Sequence, residues 1–189
     1  MEEKTVIETE RLILREPRIT DLADFRAGVN NREITDILFN VPYPFTGANA
    51  RSMIEKAISQ MNTINDRHFF FELKSENKVI GSLRIGVRDG VGDLCGHVNP
   101  AYQNQGYMQE AMNAIFEMLF ESKVIKEFTI FIFEGNASLL HIAEKLGFIV
   151  KPTEEFVAAK STEKRHRLIK AYLTKLKWKK EKAQASRTS

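Results

Sequence analysis

His97-Val98-Asn99-Pro100-Ala101-Tyr102-Gln103-Asn104-Gln105-Gly106-Tyr107-Met108-Gln109-Glu110-Ala111 is the stretch on which the fold turns. Its left side reads as the end of a strand running from Asp93 to Val98. Its right side opens a long helix with Met108, Ala111, Met112, Ile115, Phe116 and Leu119 at three-to-four spacing. Between them lies a polar turn, Gln103-Asn104-Gln105-Gly106. The first N–H groups of a helix have no partner inside it and carry partial positive charge. A strand, a glycine turn and a helix start therefore make an anion site, most often for phosphate. Two nucleotide motifs fail here. No Lys follows Gly106, as a P-loop requires, and Gly106 stands without the other glycines of a G-x-G-x-x-G fingerprint.

Working outward, Leu12–Arg15 reads as a first strand. Thr20 is placed to cap a helix that starts at Asp21 and carries Leu22, Phe25 and Val29 on one stripe. Asn30-Asn31 ends or bends it. The two prolines of Val41-Pro42-Tyr43-Pro44-Phe45 make that run a loop. Thr46 caps a further helix with Met53, Ile54, Ala57, Ile58 and Met61 on one face. Three strands follow, at residues 69–73, 79–85 and 93–98, with turns at Ser75–Lys78 and Arg88–Gly92, as in an antiparallel meander. Gly96 inside the third marks a bulge or a close backbone approach. Glu127–Phe133 reads as a central strand. A helix with Leu139, Leu140, Ala143 and Leu146 stops at Gly147. Phe148–Val150 is a strand, a charged segment runs to Lys164, and Leu168–Leu173 is the last strand. No internal repeat or domain boundary interrupts this order, which is that of one mixed α/β domain.

The composition agrees. A chain of 189 residues with 43% hydrophobic and 28% charged content suits one domain with a real core. A net charge of +3 is too small to imply nucleic acid. One cysteine, Cys95, excludes an intrachain disulfide, and with four scattered His residues no metal site is expected. The Met-Glu-Glu-Lys start lacks an apolar signal core, and no run is long enough to span a bilayer, so a cytoplasmic setting is expected.

Gln103-Asn104-Gln105-Gly106-Tyr107-Met108 resembles the acyl-CoA loop of the GCN5-related N-acetyltransferases (GNAT), written Gln/Arg-x-x-Gly-x-Gly/Ala. Met108 departs at the last small position. Two further matches stand in the family's order. Asn136-Ala137-Ser138 followed by Glu144–Phe148 looks like its Asn-x-x-Ser and Glu-Lys-Leu-Gly-Phe. Thr9–Arg15 looks like the opening of the branch that acetylates N-termini of ribosomal proteins. The resemblance implies a single-domain GNAT acyl-CoA N-acyltransferase fold over residues 1–175, a splayed mixed sheet flanked by helices. A basic, frayed tail over 176–189 follows.

The same resemblance implies acetyl-CoA as acyl donor and no metal. The pantetheine arm would pair near His97 and Val98 and be reached by Asn136. The pyrophosphate would meet Gln103, Asn104, Gln105, Gly106, Tyr107, Met108 and Gln109. Direct attack by a primary amine, a protein N-terminus or a small molecule, needs a base and an acid. Asp93 and His97 are on the right strand for the base and, four apart, share a face if the strand is unbroken. Asp93 is otherwise a turn-end carboxylate and His97 a residue lining the cofactor. Glu72 is a third candidate. Where the family often places a leaving-group Tyr, this chain has Ala143. Where it places the Ser, this chain has Leu139. Ser138, one position early, either caps the helix or approaches the thiolate. Cys95 is expected to be inert. Lys175, Lys177, Lys179, Lys180 and Lys182 around Trp178 leave open a contact of the tail with RNA or a ribosome. A homodimer is also open. The alternative to an enzyme is a non-catalytic acyl-CoA-binding sensor on the same fold.

Overall fold

The computed structural model describes residues 6–38, 40–60, 66–161 and 165–188, without the side chains of 185–188. Met61 and Lys164, named above, lie outside these. One eight-stranded sheet forms the centre. Its strands are β1 (Val6–Glu8), β2 (Leu12–Arg15), β3 (Asp66–Leu73), β4 (Lys78–Arg88), β5 (Val91–Val98), β6 (Glu127–Phe133), β7 (Ile149–Ala158) and β8 (Arg165–Thr174). They lie in the order β1-β2-β3-β4-β5-β6-β8-β7. The helices are α1 (Leu22–Val29), α2 (Arg32–Ile37), α3 (Gly47–Gln60), α4 (Tyr107–Glu121), α5 (Ala137–Lys145) and α6 (Lys175–Thr188).

Two cores result. On one face α4, α5 and α6 bury Ile115, Phe116, Phe120, Ala143, Leu146 and Trp178 against Leu83, Ile85, Phe128 and Ile130. Phe116 stacks on Phe128 with ring centroids 4.1 Å apart, and Phe120 meets the same ring edge-on at 4.7 Å. Truncating a ring so placed costs about 3–5 kcal/mol. On the other face α1 and α3 bury Phe25, Val29, Ala50 and Ile54 against Phe70 and Val79.

The meander is as expected, with longer strands. The β4–β5 register runs unbroken from Gly81↔Val98 to Arg88↔Val91, so Gly96 is not a bulge. A Cβ there would run into the Ser82 carbonyl oxygen and come within 2.9 Å of Leu83 Cδ1. Gly96 marks a close approach instead. The register shift lies one strand away, between Phe71 and Glu72.

Thr20 does not cap the first helix. It lies inside a short 3-10 turn, Ile19–Asp21, whose Asp21 accepts the Arg18 N–H at 2.7 Å. Asp21 also takes two guanidinium N–H groups of buried Arg15, each at 2.9 Å. The Arg15 Nε donates to Glu72 at 2.5 Å, which fixes Glu72 in a structural ion cluster and removes it as a base. Asn30 ends α1 and Asn31 begins the next helix. Its side chain accepts from the N–H groups of Glu33 and Ile34 to start α2. The α3 face is narrower than the periodicity suggests: Ala50, Ile54 and Ala57 are buried, while Met53 and Ile58 are exposed.

The basic segment expected as a frayed tail is folded as α6. Trp178 is only 6% exposed and tilts against Phe120 at 5.4 Å. The Lys175 ammonium donates to the Phe120 carbonyl, and Lys182 pairs with Glu117 at 2.5 Å. Among the described residues no helix is long and apolar enough to cross a membrane.

Candidate active site

β5 and β6 are the parallel pair in the sheet, and their pairing stops early. It runs from Val91↔Glu127 to Leu94↔Ile130. Beyond it β6 stays paired with β8 as far as Phe133, and β5 stays paired with β4 as far as Val98. Cys95–Val98 and Phe131–Phe133 therefore diverge and leave a cleft through the sheet. A cavity of about 200 Å³ occupies it. Asp93, Cys95 and Gly96 line it from β5, Ile130, Phe131 and Phe133 from β6. Met108, Asn136 and Leu139 reach it from the starts of α4 and α5, and Ile37 and Leu38 from α2.

The turn before α4 has the shape of an anion cradle. Asn104 (φ +60°) and Gly106 (φ +82°) are both left-handed, and Gly106 sits at the helix N-cap. The Glu110 N–H is bonded to the Gly106 carbonyl at 3.0 Å. The N–H groups of Tyr107, Met108 and Gln109 thus precede the helical ladder. Gln103, Asn104, Gln105 and Gly106 are all exposed. The Gln103 amide donates to the Val98 carbonyl at 3.1 Å and ties the turn to the strand end. Gln103 holds the loop with its side chain and leaves backbone for a ligand.

Arg11 was not singled out by the sequence, although it sits in the quoted Thr9-Glu10-Arg11. It is the cation of an otherwise neutral loop. Its Nη1 donates to the Gln105 carbonyl at 2.9 Å. Its Nε and Nη2 hold Glu110 at 2.7 and 2.6 Å, and the guanidinium lies 4.4 Å from the Tyr107 ring centroid. Burial pushes the Glu110 carboxyl up, but hydrogen bonds from Thr9 and Arg11 outweigh it and hold it below the ordinary range. A carbonyl and the next N–H belong to one planar trans unit and point opposite ways. Holding the Gln105 oxygen therefore turns the Gly106 N–H away from Arg11.

Asn136 caps α5. Its side-chain oxygen accepts the Leu139 N–H at 3.1 Å, which leaves its amide NH2 as a donor at the cavity. Ser138 does not cap and is exposed. Ala143 is fully buried in the core, and Leu139 lines the cavity.

Asp93 and His97 do share a face, and it separates them. His97 is 4% exposed, its ring tilted against Phe25 at 5.8 Å and its Nδ1 3.2 Å from the Ser82 hydroxyl. Burial drops its pKa to about 4, so it is neutral at pH 7. Its imidazole packs against Phe25 of α1 and is not part of the cavity lining. Only its backbone lies on the open strand edge. Val98 likewise has its side chain in the core. Asp93 sits at the cavity mouth. The protein packed around its carboxyl raises its pKa above the ordinary aspartate value, against a smaller pull from Arg84. Cys95 is a neutral thiol, pushed up to about 11 first by burial and then by Asp93. Among the described residues no group of His, Cys, Asp and Glu is arranged to hold a metal.

A splayed sheet, a helix-start anion cradle and a cavity joining them define an acyltransferase that draws its acyl group from coenzyme A. The chain belongs to the GNAT acetyltransferase family: a family model described as "Acetyltransferase (GNAT) domain" matches residues 11–149. It is an acetyl-CoA-dependent acyltransferase. No curated protein matches the sequence. Among solved structures, a probable acetyltransferase superposes with a TM-score of 0.80 at 15% identity, covering 92% of this chain and 99% of that one. The ribosomal-protein-S5-alanine acetyltransferase of Vibrio fischeri does so at 0.72 and 15%, covering 92% and 98%. The spermidine N-acetyltransferase of Vibrio cholerae, solved with CoA and spermine, does so at 0.74 and 18%, covering 90% and 99%.

Proposed function

We propose that the cleft between β5 and β6 carries out direct transfer of an acetyl group from acetyl-CoA to a primary amine, with Asp93 as the general base. The observation that carries this is the cavity itself. Asp93 lines one side, and the N-terminal ends of α4 and α5 supply Met108 and Asn136 on the other. The turn from Gln103 to Gln109 would hold the pyrophosphate through its backbone N–H groups. The free edge of Cys95–Val98 offers peptide groups to the pantetheine arm, as an edge strand does to an added strand. An N–H on that edge would polarise the thioester carbonyl.

The amine must be neutral to attack. Asp93, with its carboxyl pKa raised by burial, is tuned toward accepting that proton. Cys95 takes no covalent part, because a thiol that titrates near 11 is not a thiolate at neutral pH. The leaving thiolate takes its proton from solvent, since Leu139 and Ala143 stand where a hydroxyl would otherwise donate.

The test is the pH profile of kcat/KM for thiol release from acetyl-CoA. The wild type should show an acid limb displaced above the ordinary aspartate range. Asp93→Asn should lose that limb and fall by about 10²–10⁴-fold. An Asp93→Asn enzyme with an unchanged limb would remove Asp93 from the mechanism.

A further inference from the structure

The face of the sheet that carries Asp93 is covered at Phe133 and Leu168 by Ile37 of α2 and Ala159, and farther out, among the described residues, Ile149 and Lys151 are exposed. Asp93 is the register partner of Thr129, so the two side chains point the same way. Phe131, two residues on, lines the cavity on that face. Phe131 lies directly opposite Lys170 on β8, and Lys170 directly opposite Lys151 on β7. One row of side chains therefore runs from the cavity to the sheet edge: Phe131, Lys170, Lys151. The Lys170 ammonium lies 5.9 Å from the Phe131 ring centroid, and that of Lys151 5.2 Å from the ring of Tyr172.

Two lysines facing each other across an antiparallel pair repel, and such pairs destabilise a sheet. Among the described residues neither ammonium has a carboxylate partner. Arg167 engages two nearby carboxylates, Glu154 at 2.9 Å and Glu134 at 4.0 Å.

We propose that this row is the acceptor subsite and that it selects peptide N-termini followed by acidic residues. The inference rests on the acetyltransferase reading of the cavity. Neighbouring strands are about 4.8 Å apart, so the row extends about 10 Å from Phe131 to Lys151. An extended peptide advances about 3.3 Å per residue. Asp93 lies one strand before Phe131, so with the amine at Asp93 the two lysines stand about 10 and 14 Å away, under about the fourth and fifth residues. The exposed outer part of this face, at Ile149 and Lys151, leaves room for an extended chain, and its positive charge repels a polyamine.

The experiment measures binding and turnover separately. Three N-terminally free hexapeptides, with aspartate, alanine or lysine at positions three to five, are titrated against the protein in the presence of CoA, using fluorescence anisotropy. Free glutamate and spermidine serve as competitors. Thiol release is read with the same acceptors and acetyl-CoA. The acidic peptide should bind at least tenfold tighter than the lysine peptide, and the gap should shrink with added salt. Lys151→Glu with Lys170→Glu should invert the order while leaving acetyl-CoA binding unchanged. Lys170→Glu alone places a carboxylate opposite Lys151 and should not lower the Tm.

Equal binding of the three peptides, a preference for lysine, or no binding of any would overturn the proposal. Glutamate outcompeting the acidic peptide would also overturn it, because the subsite would then fit a small anion. If the acidic preference holds but no acceptor releases thiol, the acetyl-transfer reading fails and the subsite stands as a peptide-binding one. If thiol is released equally with all three peptides, transfer stands and the charge selection falls.

Discussion

The guanidinium of Arg11 donates to the carbonyl of Gln105 at 2.9 Å, across 94 residues of chain. The contact sets the plane of the peptide that carries the Gly106 N–H and turns that N–H away from Arg11. Arg11 acts on the loop from outside and is a positioning residue. Arg11→Gln should raise the KM for acetyl-CoA by about tenfold or more with little change in kcat. With S-acetylpantetheine, which lacks the pyrophosphate, the same variant should match the wild type. An equal loss with both donors would mean that Arg11 only supports the fold.

Trp178 anchors α6 to the core beneath α4. Trp178→Ala should lower stability by about 3–5 kcal/mol in urea unfolding. Lys180→Ala, on the exposed side of the same helix, should stay within about 0.5 kcal/mol. A frayed end would give the same small effect for both.

His97 has a depressed pKa in the folded protein, about 4 against 6.5 unperturbed. Above pH 6.5 neither the folded nor the unfolded imidazole holds a proton, and the residue contributes nothing to the pH dependence. Between pH 6.5 and 4 the unfolded chain binds a proton that the folded one refuses. Stability should therefore fall with falling pH by about 1.4 kcal/mol per unit over that window and level off below it. Chemical denaturation of wild type and His97→Leu across pH 4–7 checks this: the difference between them should carry the slope. Parallel curves would show that the ring titrates normally.

Gly96 and Gly47 predict opposite outcomes for the same change. A Cβ at Gly96 meets the Ser82 carbonyl and Leu83, so Gly96→Ala should cost about 1–3 kcal/mol and distort the edge of the cleft. Nothing lies within 4 Å of a Cβ at Gly47, at the start of α3, and Gly47→Ala should be neutral or stabilise by about 0.4–1 kcal/mol. Thermal melts of the two variants, with and without acetyl-CoA, separate the effects.

The cofactor side of the cleft was legible in the sequence because its signals are local. Gly106 marks the turn and the apolar repeat from Met108 to Leu119 the helix, whereas the cap of α5, for which Ser138 was the sequence candidate, is made by Asn136. The common face of Asp93 and His97 was legible too, from strand periodicity. Which end of that face is core and which is cavity was not, because Phe25 and α1 decide it from 70 residues upstream. The residues on from Thr153 read as a charged loop because an edge strand buries little and β7 is mostly exposed. Its pairing with β8, and with it the Lys151–Lys170 opposition, exists only once the register is known. α2 has six residues, too few to show a period. The Arg11 contacts bridge 94 and 99 residues, and no spacing rule reaches that far.

Acetyl transfer itself is tested most directly by incubating the protein with acetyl-CoA and a library of peptides with free N-termini, and reading the peptides by mass spectrometry while free thiol is monitored. Acetyl groups should appear on peptide amines in step with thiol release, both abolished by Gly106→Val, whose side chain the left-handed cradle disfavours. Saturable acetyl-CoA binding with no acetylated peptide and no thiol above background would contradict it, and would leave the cleft as a site that binds the donor without using it.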